Sequence, residues 1–228
     1  MSTQDPAAAG GRRDAQKAQW EAAFAGRPER YGSEPSAAAL AAAALFETEG
    51  RRDLLELGAD QGRDTLFFAG RGCRVLALDF AQAAVDDLAA AAAAAGLAGL
   101  VSVRRHDVRD PLPAPDASAD ACYAHMLFCM ALTTAELEAL TAEVRRALRP
   151  GGLLVYTVRH TGDPDAGAGP AHGEGMYESG GFVVHFFDRA LVERLARDFD
   201  LVEVAEFEEG ALPRRLFRVT LRRPVSEA

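Results

Sequence analysis

Five short runs rich in apolar residues, Asp53–Leu57, Arg74–Leu78, Leu100–Arg105, Ala119–Met126 and Leu153–Val158, are separated by segments with helical spacing or by turn residues. Arg63–Ala69 and Ala81–Ala95 are closed by Gly70 and Gly96, and Thr134–Leu148 places Leu137, Leu140, Val144 and Leu148 on one side. Strands that alternate with helices predict a mainly parallel sheet covered on both faces, because parallel neighbours need crossover connections. In such a doubly wound sheet the ligand lies outside the carboxyl ends of the strands, so the residues just after each run matter most.

The flanking segments complete that plan. Residues 1–15 lack apolar periodicity and are expected to form a tail, with order beginning near Trp20. Trp20 and Phe24 stand at i and i+4 before Gly26 and Pro28 break the helix. YGSEPSAAALAAAALFETEG follows as a helix that Ser33 or Ser36 can cap and Gly50 ends, so 16–50 reads as an N-terminal helical cap. Residues 161–181 are rich in glycine and proline without a regular period, and are read as a lid loop. Arg189–Phe199 then has helical spacing, and Leu201–Phe207 and Leu216–Leu221 close the chain as strands. The expectation is one domain over 16–228, a Rossmann-like α/β three-layer sandwich with a seven-stranded, mostly parallel sheet whose last strand is antiparallel.

Charge and composition exclude several functions. A net charge of −9 argues against nucleic acid or an anionic membrane as partner. The apolar runs, such as Ala89–Ala95, are far shorter than the roughly 20 residues a spanning helix needs, and the N-terminus lacks the apolar core of a signal peptide. These features predict a cytoplasmic protein. Cys73, Cys122 and Cys129 form no C-x-x-C pair and read as buried free thiols. Five histidines, 106, 125, 160, 172 and 185, have no i, i+4 pair, so no metal site is expected.

The chemistry concentrates in Glu56-Leu57-Gly58-Ala59-Asp60-Gln61-Gly62-Arg63-Asp64, where the first strand passes into its helix. Glycines there let backbone approach a ligand, and the helix N-terminus can hold an anion. Asp79 ends the second strand, where an acidic side chain accepts bonds from ribose hydroxyls. A dinucleotide fingerprint needs glycine two and five positions after Gly58, but Asp60 and Arg63 stand there. Asp60 would repel a pyrophosphate, whereas its charge is favourable beside a sulfonium or ammonium group. Taken alone, Asp79 and Asp107 would pass for helix caps or solvated acids, and their strand-end positions favour a ligand instead.

LLELGADQGRDTLFFA, ALDF, HDVRDPLP with SADACYAHM, and EVRRALRPGGLLVYTV, in that order, resemble the successive motifs of the class I S-adenosylmethionine-dependent methyltransferases. The resemblance runs from Tyr31 to Arg223 and departs from the family at Asp60, where glycine is usual. YGSEPS, HMLFCMALT and GEGMYESGGFVVHFF resemble its small-molecule and tellurite-resistance-type branch. The resemblance implies S-adenosylmethionine as cofactor and S-adenosylhomocysteine as product. Gly58, Asp60, Gly62 and Arg63 would then line the methionine end and Asp79 would bind the ribose. Phe80 would pack on the adenine and Asp107 with Val108 would face it, while His125 would contact the methionyl group or the acceptor and Tyr31 would close over the cofactor.

Methyl transfer needs a nucleophile in line with the sulfonium carbon, and a thiolate needs no strong base. The sequence places none of the proton-transfer candidates His125, His160, His172, Tyr177 and His185 against an orienting carboxylate. The reading therefore leans to S-methylation of a small molecule lined by Trp20, Phe24, Met126, Phe128, His160, Met176, Tyr177 and Phe186. Methylation at oxygen or nitrogen of a small metabolite is the main alternative, ahead of an NAD-binding or non-catalytic Rossmann protein.

Overall fold

Residues 16–23, 32–210 and 214–225 are described by a computed structural model. Residues 16–23 are helical (α1), followed by α2 (Ala37–Thr48), β1 (Asp53–Leu57), α3 (Arg63–Gly70), β2 (Arg74–Asp79), α4 (Gln82–Ala94), β3 (Val101–Arg105) and β4 (Ala119–His125). Then come α5 (Thr134–Ala147), β5 (Leu148–Arg159), β6 (Ala171–Gly173), β7 (Met176–Ser179), β8 (Phe182–His185), α6 (Arg189–Leu195), β9 (Asp200–Glu209) and β10 (Arg214–Arg222). The main sheet has the order β3-β2-β1-β4-β5-β10-β9. The pairs from β3 to β5 are parallel, and β10 runs antiparallel to both of its neighbours. The predicted seven-stranded sandwich is therefore the observed one.

Its central strands β1, β4 and β5 are buried on both faces, which explains their short unbroken apolar runs, whereas the edge strands β3 and β9 are largely exposed. Leu54, Val75, Ala77, Ala121, Tyr123, Leu153 and Val155 point to one face, where Ala39, Ala42, Ala43 and Phe46 of α2 and Phe68 of α3 cover them. Their neighbours Leu55, Cys122, Ala124, Leu154 and Tyr156 point to the other, against Leu137, Leu140 and Val144 of α5 and Val192 of α6. Helix starts follow the capping rule: Ser36 accepts from the N–H of Ala39 at 3.0 Å, and Thr133 with Glu136 makes a capping box. The order of strands reverses at β1, since β2 and β4 lie on opposite sides of it, and that reversal opens a crevice at the carboxyl edge.

Several expectations need correction. The strand read as Leu153–Val158 begins at Leu148, because α5 passes straight into it, and its pairing with β4 slips between Ala119 and Ala121. The helix expected to reach Phe199 stops at Leu195. Residues 161–181 are not an irregular loop: β6 and β7 lie within them and pair antiparallel with β8 as a separate sheet. The buried Arg159 guanidinium anchors this region, with ion pairs to Asp163 and, at 2.7 Å, Asp165, and a bond of 2.8 Å to the Ser179 hydroxyl. All three cysteines are buried and unpaired. Among the described residues no helix is long and apolar enough to cross a membrane, and no group of three metal-binding side chains converges. The expected tail, Phe24 and Tyr31 lie outside the described residues.

Candidate active site

Three residues of the first crossover loop adopt left-handed backbone, Gly58 at φ +69°, Asp60 at +53° and Gly62 at +93°. A Cβ at Gly62 would collide with the Leu88 side chain, and one at Gly58 would stand 3.2 Å from Leu127 Cβ, so both glycines also serve close packing. Asp60 tolerates its conformation because a short polar side chain can bond locally: its carboxylate accepts from Gln61 N–H at 2.6 Å. Its own N–H donates to Asp79 at 3.0 Å, and Asp79 also accepts from Ala81 N–H at 2.9 Å. The loop and the end of β2 are thus tied through one buried carboxylate. Burial raises the Asp79 pKa, against the lowering effect of those backbone donors. Burial and the nearby Asp64 push Glu56 well above the usual carboxylate range, although Thr65 donates to it at 2.6 Å.

Asp64, in the first turn of α3, accepts from the N–H and hydroxyl of Ser36, both at 2.8 Å, and from Tyr123 OH at 3.1 Å. It thereby joins α2, α3 and β4 behind the loop. Sequence reasoning missed this network, whose only signal was an acid at a helix start.

A narrow crevice runs along the carboxyl edge. Gly58, Asp79 and Phe80 line it from β1 and β2, His106, Asp107, Val108 and Arg109 from the segment after β3, and Leu127, Met130, Ala131 and Leu132 from the segment after β4. Gln16, Lys17 and Trp20 of α1 roof it. The Trp20 ring lies 4.3 Å from that of Phe182, and the amides of Gln16 and Gln19 donate to the carbonyls of Val183 and Gly181. Glu21 accepts from Gln82 N–H at 2.9 Å, the start of α4. Asp107 faces Arg109 at 3.2 Å. A wider concavity of about 470 Å³ lies at the opposite edge, around Asp53, Arg74, Gly99 and Ser118. The crevice is the better ligand site, because the strand order reverses above it and the left-handed loop and buried Asp79 face it.

At the ends of β4 and β5, His125 Nδ1 is 2.9 Å from Thr157 Oγ1 and Nε2 is 3.2 Å from Glu209. The bond with His125 is the main reason the Glu209 pKa is lowered, and the Arg63 charge adds to it. The predicted residues Gly58, Asp60, Gly62, Arg63, Asp79, Phe80, Asp107, Val108 and His125 therefore gather along one edge. Gln16, Lys17, Leu127, Met130 and Glu209 join them unforeseen, although Leu127 and Met130 belong to the HMLFCMALT segment.

The acceptor-side expectations divide. Trp20 and the half-buried Met126 lie at the edge. Phe128 is instead a core residue, wholly buried and stacked on Tyr156 at 4.6 Å. Met176 and Phe186 are buried at the small sheet, with Phe186 beneath the Arg159 guanidinium and 6.2 Å from the Tyr177 ring. His160 stacks on Phe217, and its Nδ1 accepts from Gly162 N–H at 3.0 Å. His172 faces Glu178 at 2.9 Å on the outer hairpin. His185 is buried with Nδ1 2.8 Å from the Leu132 carbonyl, and burial lowers its pKa.

These features fit an adenosyl group bearing a positive sulfur. Buried Asp79 suits a ribose, and Phe80 and Val108 offer apolar contact. Residues 54–152 match the family described as methyltransferase domain. The sequence matches no curated protein. Among solved structures, the fold is similar to that of a Burkholderia thailandensis 1,6-didemethyltoxoflavin-N1-methyltransferase with bound 1,6-didemethyltoxoflavin and S-adenosylhomocysteine. That similarity has a TM-score of 0.73 at 20% identity and covers 98% of this chain and 92% of that one. An S-adenosylmethionine-dependent methyltransferase from Mesorhizobium loti is 20% identical with a TM-score of 0.65, over 82% of this chain and 99% of that one. A protein described with the conversion of a disulfide bond into a thioacetal group during echinomycin biosynthesis is 18% identical with a TM-score of 0.65, over 86% and 84%. The match to a methyltransferase domain over 54–152 thus sits on a fold shared with S-adenosylmethionine-dependent methyltransferases.

Proposed function

We propose that the chain is a class I S-adenosylmethionine-dependent methyltransferase and that it methylates a small, largely apolar molecule at sulfur, or at a comparably soft atom, without a dedicated protein base. The observation that carries this reading is the state of the histidines. His125 has both ring nitrogens engaged, by Thr157 and Glu209. In a neutral ring Nε2–H donates to Glu209 and Nδ1 accepts from the hydroxyl; in a charged ring both nitrogens donate. Neither form leaves a lone pair for an acceptor proton. His106 bonds the Asp110 carbonyl, His160 is stacked on Phe217, His172 sits on the outer hairpin, and His185 is buried against Leu132.

S-adenosylmethionine, when bound, supplies a methyl group on a positively charged sulfur. Asp79 is suited to hold its ribose, and Asp107 with Val108 to face its adenine. The acids beside Gly58 and Gly62 favour its cationic end. Trp20, Leu127 and Met130 would exclude water, so that positioning provides most of the rate. A thiol of pKa about 8.5 is already partly ionised at neutral pH, which removes the need for a base. The likeness to the protein of the disulfide-to-thioacetal conversion supports sulfur, as does the resemblance to the tellurite-resistance-type branch. Nitrogen on a flat ring is the second reading, favoured by the toxoflavin-type neighbour that covers 98% of this chain. The small sheet, in place of a lid loop, would wall the acceptor.

An acceptor panel of thiols, phenols, amines and tRNA, read as release of S-adenosylhomocysteine, tests the proposal. Turnover of thiols is expected. Turnover of amines or phenols with none on any thiol would remove the sulfur reading, and turnover of tRNA would remove the small-molecule one.

A further inference from the structure

Met126, at the end of β4, has φ +59°, a left-handed conformation that costs an ordinary residue about 1–2 kcal/mol. Strain of this kind persists only where surrounding groups enforce it. Here the Met126 N–H is shared between the Thr157 carbonyl at 3.2 Å and the Thr157 hydroxyl at 3.0 Å. That hydroxyl is fully buried and bonds His125 Nδ1, and His125 in turn bonds Glu209. Glu209 also accepts the backbone N–H of Ala37 at the start of α2. One continuous chain of hydrogen bonds therefore runs from α2 through β9, β4 and β5 to Met126. The next residue, Leu127, stands against Gly58 and, with Met130, walls the crevice.

We infer that Thr157, His125 and Glu209 are positioning residues that hold Met126 in its left-handed turn and so keep Leu127 and Met130 in place as a wall of the cofactor crevice. The inference rests on the proposed use of that crevice for the adenosyl group, and assigns to the hairpin of β9 and β10 a part in binding it. Removing the Thr157 hydroxyl takes away one of the two acceptors of Met126 N–H and leaves a ring nitrogen of His125 without its partner, so the turn can relax.

Calorimetric titration of S-adenosylhomocysteine into the intact protein tests this without any acceptor. Thr157→Val should weaken binding about tenfold, whereas Thr157→Ser, which restores the hydroxyl, should stay within about threefold of the wild type. Glu209→Gln, on the partly exposed hairpin, should weaken binding about threefold. A merely structural role would lower the melting temperature of Thr157→Val and leave the affinity of the folded protein unchanged. That result, or equal weakening in the valine and serine variants, would overturn the inference. Failure of the wild type to bind S-adenosylhomocysteine would overturn the cofactor reading, and this inference with it.

Discussion

The two edges of the main sheet are both acidic but handle their acids in opposite ways. At the amino edge each carboxylate meets arginine: Asp53 and Asp120 share Arg149 at 3.1 and 2.5 Å, and Glu49 is held by Arg222 at 2.7 Å and Arg51 at 2.9 Å. The bond with Arg222 brings Glu49 down to about 2, and backbone donors with Arg149 lower Asp120. At the carboxyl edge Glu56 and Asp79 are buried with hydroxyl or backbone partners, and burial raises both. Glu49 and Asp120 are held in their charged form by arginine and backbone donors, whereas burial pushes Glu56 and Asp79 towards the protonated form. A cationic ligand near them would favour their charged form, and its binding to the native state would stabilise the carboxyl edge.

The largest effect that would break this contrast is at Asp79. Asp79→Ala removes the carboxylate to which two ribose bonds are assigned, each worth about 1.5–3 kcal/mol with an ionised acceptor, and should weaken S-adenosylhomocysteine binding at least tenfold. An unchanged dissociation constant would take Asp79 out of the site. A smaller effect is expected at Glu56. Its pKa is raised on folding, so its contribution is present below its unfolded value near 4.5 and is lost as pH rises towards its folded value. Across that window stability should fall by up to roughly 1.4 kcal/mol per pH unit, and Glu56→Gln should remove the slope. Denaturant titrations at pH 5 and pH 8 measure this, with the variant gaining on the wild type at the higher pH. The smallest effect belongs to the amino edge. Arg149→Met breaks partly exposed pairs and should cost no more than about 1 kcal/mol, an amount that shrinks with added salt. Because Asp120 is lowered on folding, that loss should fade as pH drops and the carboxylate is protonated.

The division between legible and hidden follows distance along the chain. Each strand and helix of the main sheet answers to its own composition, and the binding loop lies within nine consecutive residues, so both were open to sequence reading. What escaped is carried by pairs remote in sequence. Gln19 reaches Gly181 across 162 residues, and Asp64 reaches Tyr123 across 59. Glu209 sits in an acidic run, Glu206-Phe207-Glu208-Glu209, that nothing local separates into solvated and engaged members. β6 and β7, of three and four residues, are too short for a period-two pattern to show among their glycines. They pair with β8 because the Arg159 cluster anchors the segment between them and β5. Phe128 misled for the same reason: its apolar surroundings match a pocket lining until its stacking on Tyr156 is known.

The placement of β10 has a consequence for how the chain is made. This strand is the last of the sheet in chain order, yet it lies inside the sheet, between β5 and β9. Until it arrives, β5 presents an unpaired edge running beside a long apolar stretch, the kind of surface that recruits foreign strands. The sheet cannot close until residues 214–222 have been made, and Glu209 cannot reach His125 until the hairpin of β9 and β10 has turned back. Closure of the sheet must wait for β10, and a nascent chain halted before residue 214 would carry the binding loop on an unfinished sheet.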